Sequence, residues 1–215
     1  MTFLKTADTL NPGARTLSRK YYTKKEILKQ EYKNIFLNQW ICAGRAEDIA
    51  NPGHYITLDI GDESVIILRD NKGILKAFFN VCRHRGTRIC QNNKGIFSKT
   101  IQCGYHGWTY NLDGNLVGAP HMENVNKEDY PLHSVAIKEW GGFLFLNLDD
   151  HPEQFVKMFE PILNRFSSWN LDHLAIKESR IYNVNCNWKL IIQNFCECYH
   201  CPIIHPQLAE IHNYM

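Results

Sequence analysis

Two short segments, each carrying one cysteine and one histidine, constrain this chain more than any other feature of its sequence. Cys82-Arg83-His84 and Cys103-Gly104-Tyr105-His106 are separated by eighteen residues. Turn signals and short apolar runs surround both segments, which predicts that each forms a loop tip. Two thiolates and two imidazoles are a ligand set for tetrahedral zinc or for a [2Fe–2S] cluster. The fold must therefore bring two distant tips together.

The order of the ligands favours the cluster over zinc. Zinc hairpins usually repeat cysteine with cysteine and histidine with histidine, whereas each segment here mixes the two types. Each tip can then reach both irons of a dinuclear cluster. Gly86 and Gly107 follow the two histidines and would let backbone N–H groups approach the sulfurs. A structural Cys2His2 zinc module is the alternative.

The composition excludes several classes of protein. The chain has 215 residues, 44% of them hydrophobic, and a formal net charge of +2. Its lysines are scattered, so nucleic acid is not an expected partner. No apolar run approaches the ~18 residues of a membrane helix and no leader is visible, so we expect a cytoplasmic protein without membrane contact. Eight cysteines and ten histidines then favour metal binding over disulfides.

Local patterns predict a β region between helical flanks. Thr23-Lys24-Lys25-Glu26 is a capping-box pattern followed by apolar residues at helical spacing, so we expect a helix over about 23–37. After Trp40, short apolar runs alternate with turn signals up to a strand at 142–148, which predicts a small antiparallel β unit. Helical spacing returns from about 153, and a further helix is expected from Trp188 to about Cys201.

A second pair of histidines lies near the end of that last helix. His200 and His205 would point about 140° apart on a regular helix. Pro202 disfavours helical geometry at the residue before it, so we expect the helix to end between the histidines and both to reach one ion. Hard, oxygen-activating Fe(II) favours histidine and carboxylate ligands over thiolates. We therefore assign the remaining cysteines to packing: Cys42, Cys90, Cys186, Cys196, Cys198 and Cys201.

Both segments resemble the alpha subunits of Rieske non-haem iron oxygenases. The first matches the family pattern C-x-H, then C-x-x-H-G-W, with an intervening segment a residue or so longer than usual. The second matches N-W-K, then E-N-x-x-[DE]-x-Y-H-x4-H, except that Gln193 stands where glutamate is common. The resemblance implies that a Rieske [2Fe–2S] cluster is bound by four residues: Cys82, His84, Cys103 and His106.

The same resemblance assigns roles in the second segment. His200 and His205 match ligands of a mononuclear Fe(II). Glu197 matches the acidic residue that links this iron to the cluster histidine of a neighbouring subunit, here His106. Asn194 and Tyr199 match positions that line the iron site. The family's third iron ligand is an aspartate further downstream, and Glu210 does not match it, so we expect either an incomplete subunit or an unusual short form.

The implied fold is α+β, with an antiparallel Rieske domain inserted in the N-terminal part of a helix-grip-like catalytic domain. The expected domains are a helical flank of the catalytic domain over 1–39, the Rieske domain over 40–150 and the start of the mononuclear-iron domain over 151–215. The family works as head-to-tail homotrimers, and no G-x-G-x-x-G occurs, so a separate NAD(P)H-dependent flavin or iron–sulfur reductase is expected.

The implied activity is reductive O2 activation that hydroxylates or oxidatively N-demethylates a small organic substrate. The run from Asn194 to Pro202, with glutamate at 197, resembles the branch that acts on quaternary ammonium compounds. An aromatic-ring-hydroxylating dioxygenase is the alternative within the family. A Rieske electron carrier without oxygenase activity is the alternative of another class, and it predicts a cluster with no second iron site.

Overall fold

The computed structural model describes residues 12–13, 15–197 and 200–211. Two compact units are present, one of residues 1–30 with 178–215 and one of residues 31–177. The helices are α1 (Lys20–Thr23), α2 (Lys25–Glu31), α3 (Phe155–Phe159), α4 (Trp188–Cys196), α5 (Cys201–Ile204) and α6 (Pro206–Ile211). The strands are β1 (Ile41–Arg45), β2 (His54–Ile60), β3 (Glu63–Arg69), β4 (Leu75–Phe79), β5 (Lys94–Ile96), β6 (Thr100–Gln102), β7 (Thr109–Asn111), β8 (Leu116–Gly118), β9 (Ala136–Trp140) and β10 (Phe143–Asn147).

The first predicted helix is present, but its start differs from the expected one. Thr23 is the last residue of α1, and its hydroxyl donates to the Arg19 carbonyl at 3.1 Å rather than capping the next helix. Lys24 has extended geometry and separates α1 from α2, which runs on into a π-helical turn over Tyr32–Phe36. The capping-box interpretation was wrong because the threonine hydroxyl is used by the preceding turn.

The β unit consists of three antiparallel sheets in the larger unit. Their strand orders are β1-β10-β9, β4-β3-β2-β5 and β6-β7-β8. The strand predicted at 142–148 is β10, the central strand of the first sheet. The fold class is confirmed as a mixed architecture whose antiparallel sheets carry both cysteine–histidine segments.

Strand β3 organises two hydrophobic cores. Four consecutive side chains, Val65, Ile66, Ile67 and Leu68, are completely buried. Because side chains alternate along a strand, Ile66 and Leu68 enter one core, while Val65 and Ile67 enter the other. The first core also contains Cys82 and Cys103, so the same packing that stabilises β3 fixes the base of both loop tips.

The cysteines assigned to packing divide into two groups. Cys90 and Cys201 are buried, as expected. Cys42, Cys186 and Cys196 are exposed. The packing assignment was therefore wrong for these three, and Cys198 lies outside the described residues.

The smaller unit contains α1, most of α2 and the helices from α4 to α6. The helix predicted from Trp188 to about Cys201 ends earlier, at Cys196. Residue 197 is extended, with φ −122° and ψ 145°, and this breaks the helix. No helix in the part of the chain described has both the length and the apolar character needed to span a bilayer.

Candidate metal centres

The two loop tips have the same backbone design. In the first, the Cys82 carbonyl accepts from Gly86 N at 2.9 Å, and Cys82 N donates to Thr87 O at 2.8 Å. In the second, the Cys103 carbonyl accepts from Gly107 N at 3.1 Å, and Cys103 N donates to Trp108 O at 2.8 Å. Gly86 and Gly107 have φ of 72° and 71°, a region that favours glycine. The matching turns each carry one cysteine and one histidine, the histidine two residues after the cysteine in the first turn and three in the second.

The four donors are arranged as two like pairs. Cys82 and Cys103 are 3% and 2% exposed and lie in the same hydrophobic core. His84 and His106 are only partly buried, and their ring centroids lie 4.6 Å apart. Burial raises the pKa of the Cys82 thiol, and burial together with the charge of His106 lowers the pKa of His84. The thiols therefore lie inside, and the imidazoles lie nearer the surface.

These residues fit a dinuclear cluster better than a single ion. The buried Nδ1 of His84 has no hydrogen-bond partner, as expected of an atom that binds a metal. Tetrahedral zinc needs four donors around one point. Over residues 12–13, 15–197 and 200–211, no three His, Cys, Asp or Glu side chains form a single-ion site, either here or around His200 and His205. Pairwise thiol and imidazole donors match the two differently ligated irons of a Rieske cluster.

Two buried aromatic side chains, Tyr110 and Trp108, contact the candidate ligands. The Tyr110 hydroxyl lies 3.4 Å from Cys82 Sγ and accepts a hydrogen bond from Arg83 N at 3.0 Å. Because the hydroxyl oxygen accepts from Arg83, its proton is available to the sulfur. The Trp108 ring stacks on His84 with centroids 4.9 Å apart and an angle of 8°. Burial raises the pKa of Tyr110, which keeps this hydroxyl protonated.

Asn80 fixes the first ligand loop, and the sequence reasoning missed it together with Tyr110. Its Oδ1 accepts from Ile89 N at 3.1 Å and from Cys90 N at 2.8 Å. Its Nδ2 donates to Cys90 O at 2.9 Å. Only their positions in the sequence could have indicated these two residues: Asn80 precedes the first cysteine by two residues, and Tyr110 follows the second histidine by four.

The second constellation follows α4. Glu197 Oε1 lies 2.7 Å from His200 Nδ1, and both side chains are partly buried. The ring of His205 lies 5.6 Å from that of His200, measured between centroids. A carboxylate on Nδ1 orients the imidazole and leaves Nε2 for a metal. Asn194 is exposed on the last turn of α4, and Tyr199 lies outside the described residues.

The expected role of Pro202 was wrong in one respect. Pro202 does not end a helix; it lies in the first turn of α5, where proline is favoured. His200 precedes this short helix, and His205 directly follows it. One turn of helix between the two histidines brings their rings together, which a single long helix could not do.

Comparison with known proteins gives two family matches. The Rieske [2Fe-2S] domain family matches residues 39–135. The catalytic domain of the ring hydroxylating alpha subunit family matches residues 163–214.

Relatives match nearly the whole chain. The glycine betaine monooxygenase oxygenase subunit of Chromohalobacter salexigens is 36% identical over 209 residues, covering 95% of this chain and 47% of that protein. A crystal structure of a quaternary ammonium Rieske monooxygenase with L-carnitine has a TM-score of 0.83 and 31% identity, covering 90% of this chain and 56% of that chain. Naphthalene 1,2-dioxygenase from Rhodococcus has a TM-score of 0.74 and 26% identity, covering 86% of this chain and 44% of that chain. The chain thus spans about half the length of the relatives that it matches.

Proposed function

Since the chain belongs to the Rieske non-haem iron oxygenases, with a Rieske domain and part of an alpha-subunit catalytic domain, we propose that it acts in an oxygenase component. The proposed reaction is O2-dependent hydroxylation or oxidative N-demethylation of a quaternary ammonium compound. The second constellation supports an oxygenase rather than an electron carrier, because Glu197 is hydrogen-bonded to His200 and the ring of His205 lies beside that of His200.

Each group of residues has a proposed task. Cys82 and Cys103 would hold one iron of the cluster and His84 and His106 the other; the cysteines are buried and the histidines lie nearer the surface. When bound, the cluster supplies single electrons and the mononuclear iron supplies the O2 chemistry. The hydroxyl of Tyr110 orients toward Cys82, which stabilises negative charge on that ligand.

The remaining chemistry belongs to the second constellation. His200 and His205 would supply imidazole nitrogens to the ion, and Glu197 fixes the orientation of His200. Asn194 is assigned to the lining of the iron site. Glu210 does not match the family's third iron ligand, so no third ligand is assigned here.

The assembly and domain limits are also proposals. In a head-to-tail homotrimer, His106 of one subunit would approach Glu197 of the next. A separate NAD(P)H-dependent reductase would supply the electrons. The proposed domains are the helical flank over 1–39, the Rieske domain over 40–150 and the start of the catalytic domain over 151–215.

The substrate class rests on similarity. One relative is named a glycine betaine monooxygenase, and one similar structure is that of a quaternary ammonium monooxygenase with L-carnitine. The likeness to naphthalene 1,2-dioxygenase keeps an aromatic-ring dioxygenase as the second candidate. Oxygen consumption with a reductase would separate the two, since glycine betaine or carnitine, but not naphthalene, should stimulate it.

Metal analysis tests the whole assignment. We expect two irons and two acid-labile sulfides for the cluster, a rhombic paramagnetic signal after dithionite reduction and additional iron at the second site. Cys103→Ser should abolish the signal, whereas Cys90→Ser, which alters an equally buried thiol outside the motif, should retain it. His200→Ala should lose only the additional iron. A colourless zinc protein would refute the proposal, and a cluster without any second-site iron would favour the carrier.

A further inference from the structure

The N-W-K segment belongs to the second motif but supplies no metal ligand. Asn187 is the N-cap of α4, where its side chain accepts from Lys189 N at 3.1 Å. Its Nδ2 also donates to the Tyr22 carbonyl at 3.3 Å, across 165 residues of sequence. A backbone carbonyl of α1 and a backbone N–H at the start of α4 are both among the groups that helix ends leave unpaired. One asparagine therefore satisfies the termini of two helices that are distant in sequence.

The side chain of Tyr22 contacts the same helix six residues after Asn187. Its hydroxyl donates to Gln193 Oε1 at 3.1 Å and lies 2.9 Å from Gln193 Nε2. The Lys189 ammonium lies 5.8 Å from the centroid of the Tyr22 ring. Gln193 is the position at which the sequence departs from the family's common glutamate, and its amide both accepts from and donates to the hydroxyl. Tyr22 thus contacts α4 at its first turn and again near its end.

We propose that Tyr22 and Asn187 are positioning residues for the mononuclear iron site. They hold the helix whose last turn carries Asn194 and whose extension leads to Glu197. A helix of nine residues is marginal by itself, so its orientation depends on contacts with its neighbours. Only three residues separate Cys196, the end of α4, from His200. Glu197 directly follows α4 and is hydrogen-bonded to His200, so a tilt of α4 moves the carboxylate that orients this histidine. This inference rests on the proposed function.

The first test compares Tyr22→Phe with Tyr21→Phe in the full chain carrying its cluster. Tyr21 lies on the same short helix, is 39% exposed and contacts Lys20. Tyr22→Phe keeps the ring but removes the hydroxyl. Loss of one net hydrogen bond predicts about five-fold faster amide hydrogen exchange in α4. Tyr21→Phe should leave that exchange unchanged. Equal exchange in the parent and in Tyr22→Phe would overturn the proposal.

The second readout is metal binding, which a contact that only stabilises the fold would not alter. Co²⁺ is titrated into protein freed of mononuclear iron, and His205→Ala defines binding elsewhere. We expect Tyr22→Phe to weaken the His205-dependent binding by about three-fold or more and to shift the visible ligand-field bands, while the paramagnetic signal of the cluster stays unchanged. Unchanged affinity and bands in Tyr22→Phe would overturn the positioning role.

A double-mutant cycle identifies the route of the effect. If the hydroxyl acts through Gln193, then Gln193→Leu should reproduce the Tyr22→Phe effect, and the double variant should add little to either. Fully additive effects would contradict this route. A parent protein that shows the cluster but no His205-dependent Co²⁺ binding would instead refute the proposed iron site, so failure of the function and failure of the positioning role give different results.

Discussion

Removal of the Tyr110 hydroxyl should lower the reduction potential of the cluster. This hydroxyl is 3.4 Å from Cys82 Sγ and accepts from Arg83 N, and its proton can be donated to a Cys82 thiolate. Reduction adds negative charge to the cluster and its thiolate ligands, which strengthens the hydrogen bond that the sulfur accepts. Tyr110→Phe therefore destabilises the reduced state more than the oxidised one.

The size of the effect follows from the strength of such bonds. A hydrogen bond to a charged group contributes roughly 1.5–3 kcal/mol. Only the part that changes between oxidation states affects the potential, and we take this as about 1 kcal/mol. For a one-electron couple, ~59 mV corresponds to a tenfold change, or ~1.4 kcal/mol, so the expected decrease is about 40 mV. The unpaired Arg83 N–H should also lower the free energy of unfolding by about 1–3 kcal/mol.

Redox titration followed by the paramagnetic signal measures the potential. Tyr55→Phe is the matched control because Tyr55 is also buried in the same core, and its ring stacks on Phe97, which is outside the motif. That variant should lose stability but keep the parent potential. An unchanged or increased potential in Tyr110→Phe, with the cluster intact, would refute the reasoning. An equal decrease in Tyr55→Phe would do the same, because it would trace the shift to general loosening of the core.

Three further predictions concern the scaffold. Asn80→Ala leaves buried loop groups unpaired and should lower the free energy of unfolding in denaturant by about 3 kcal/mol; a loss under ~1 kcal/mol would contradict this role. A hydrogen bond from Ser64 and then the contacts with Arg88 lower the pKa of Asp59 below its ordinary 3.8, so this stabilisation is present above pH 3.8 and is lost as the pH falls through the folded pKa. Because the pair is partly exposed, Asp59→Asn should lower the free energy of unfolding by less than about 1 kcal/mol at pH 7. The variant's free energy of unfolding should also fall less steeply at acid pH; a fall as steep as the parent's would contradict the prediction. Gly114→Ala should destabilise the fold by about 1–3 kcal/mol, measured by thermal unfolding, because φ is +88° and the new Cβ would lie 2.5 Å from the ring of Phe78; a stability equal to the parent's would contradict the strain.

The sequence by itself determined the fold class and the candidate ligands. The paired cysteine–histidine segments with their glycines specify two turns of the same kind, because the positive φ that each turn needs is encoded locally. The alternation of apolar runs and turn signals likewise predicted the antiparallel sheets. These are short-range properties, and short-range patterns are readable without a structure.

Tertiary structure decided what depends on distant partners. Thr23 fits a capping box, yet its hydroxyl bonds to the turn before it, and Pro202 could end a helix or begin one. The partners of Tyr110 and Tyr22 lie 28 and 171 residues away in sequence, respectively. A hydrogen bond between distant segments leaves no local pattern, since either residue by itself would suit many surroundings. Only the packed chain selects among them: burial removes water as the alternative partner of Tyr110, and the fold places Tyr22 beside α4.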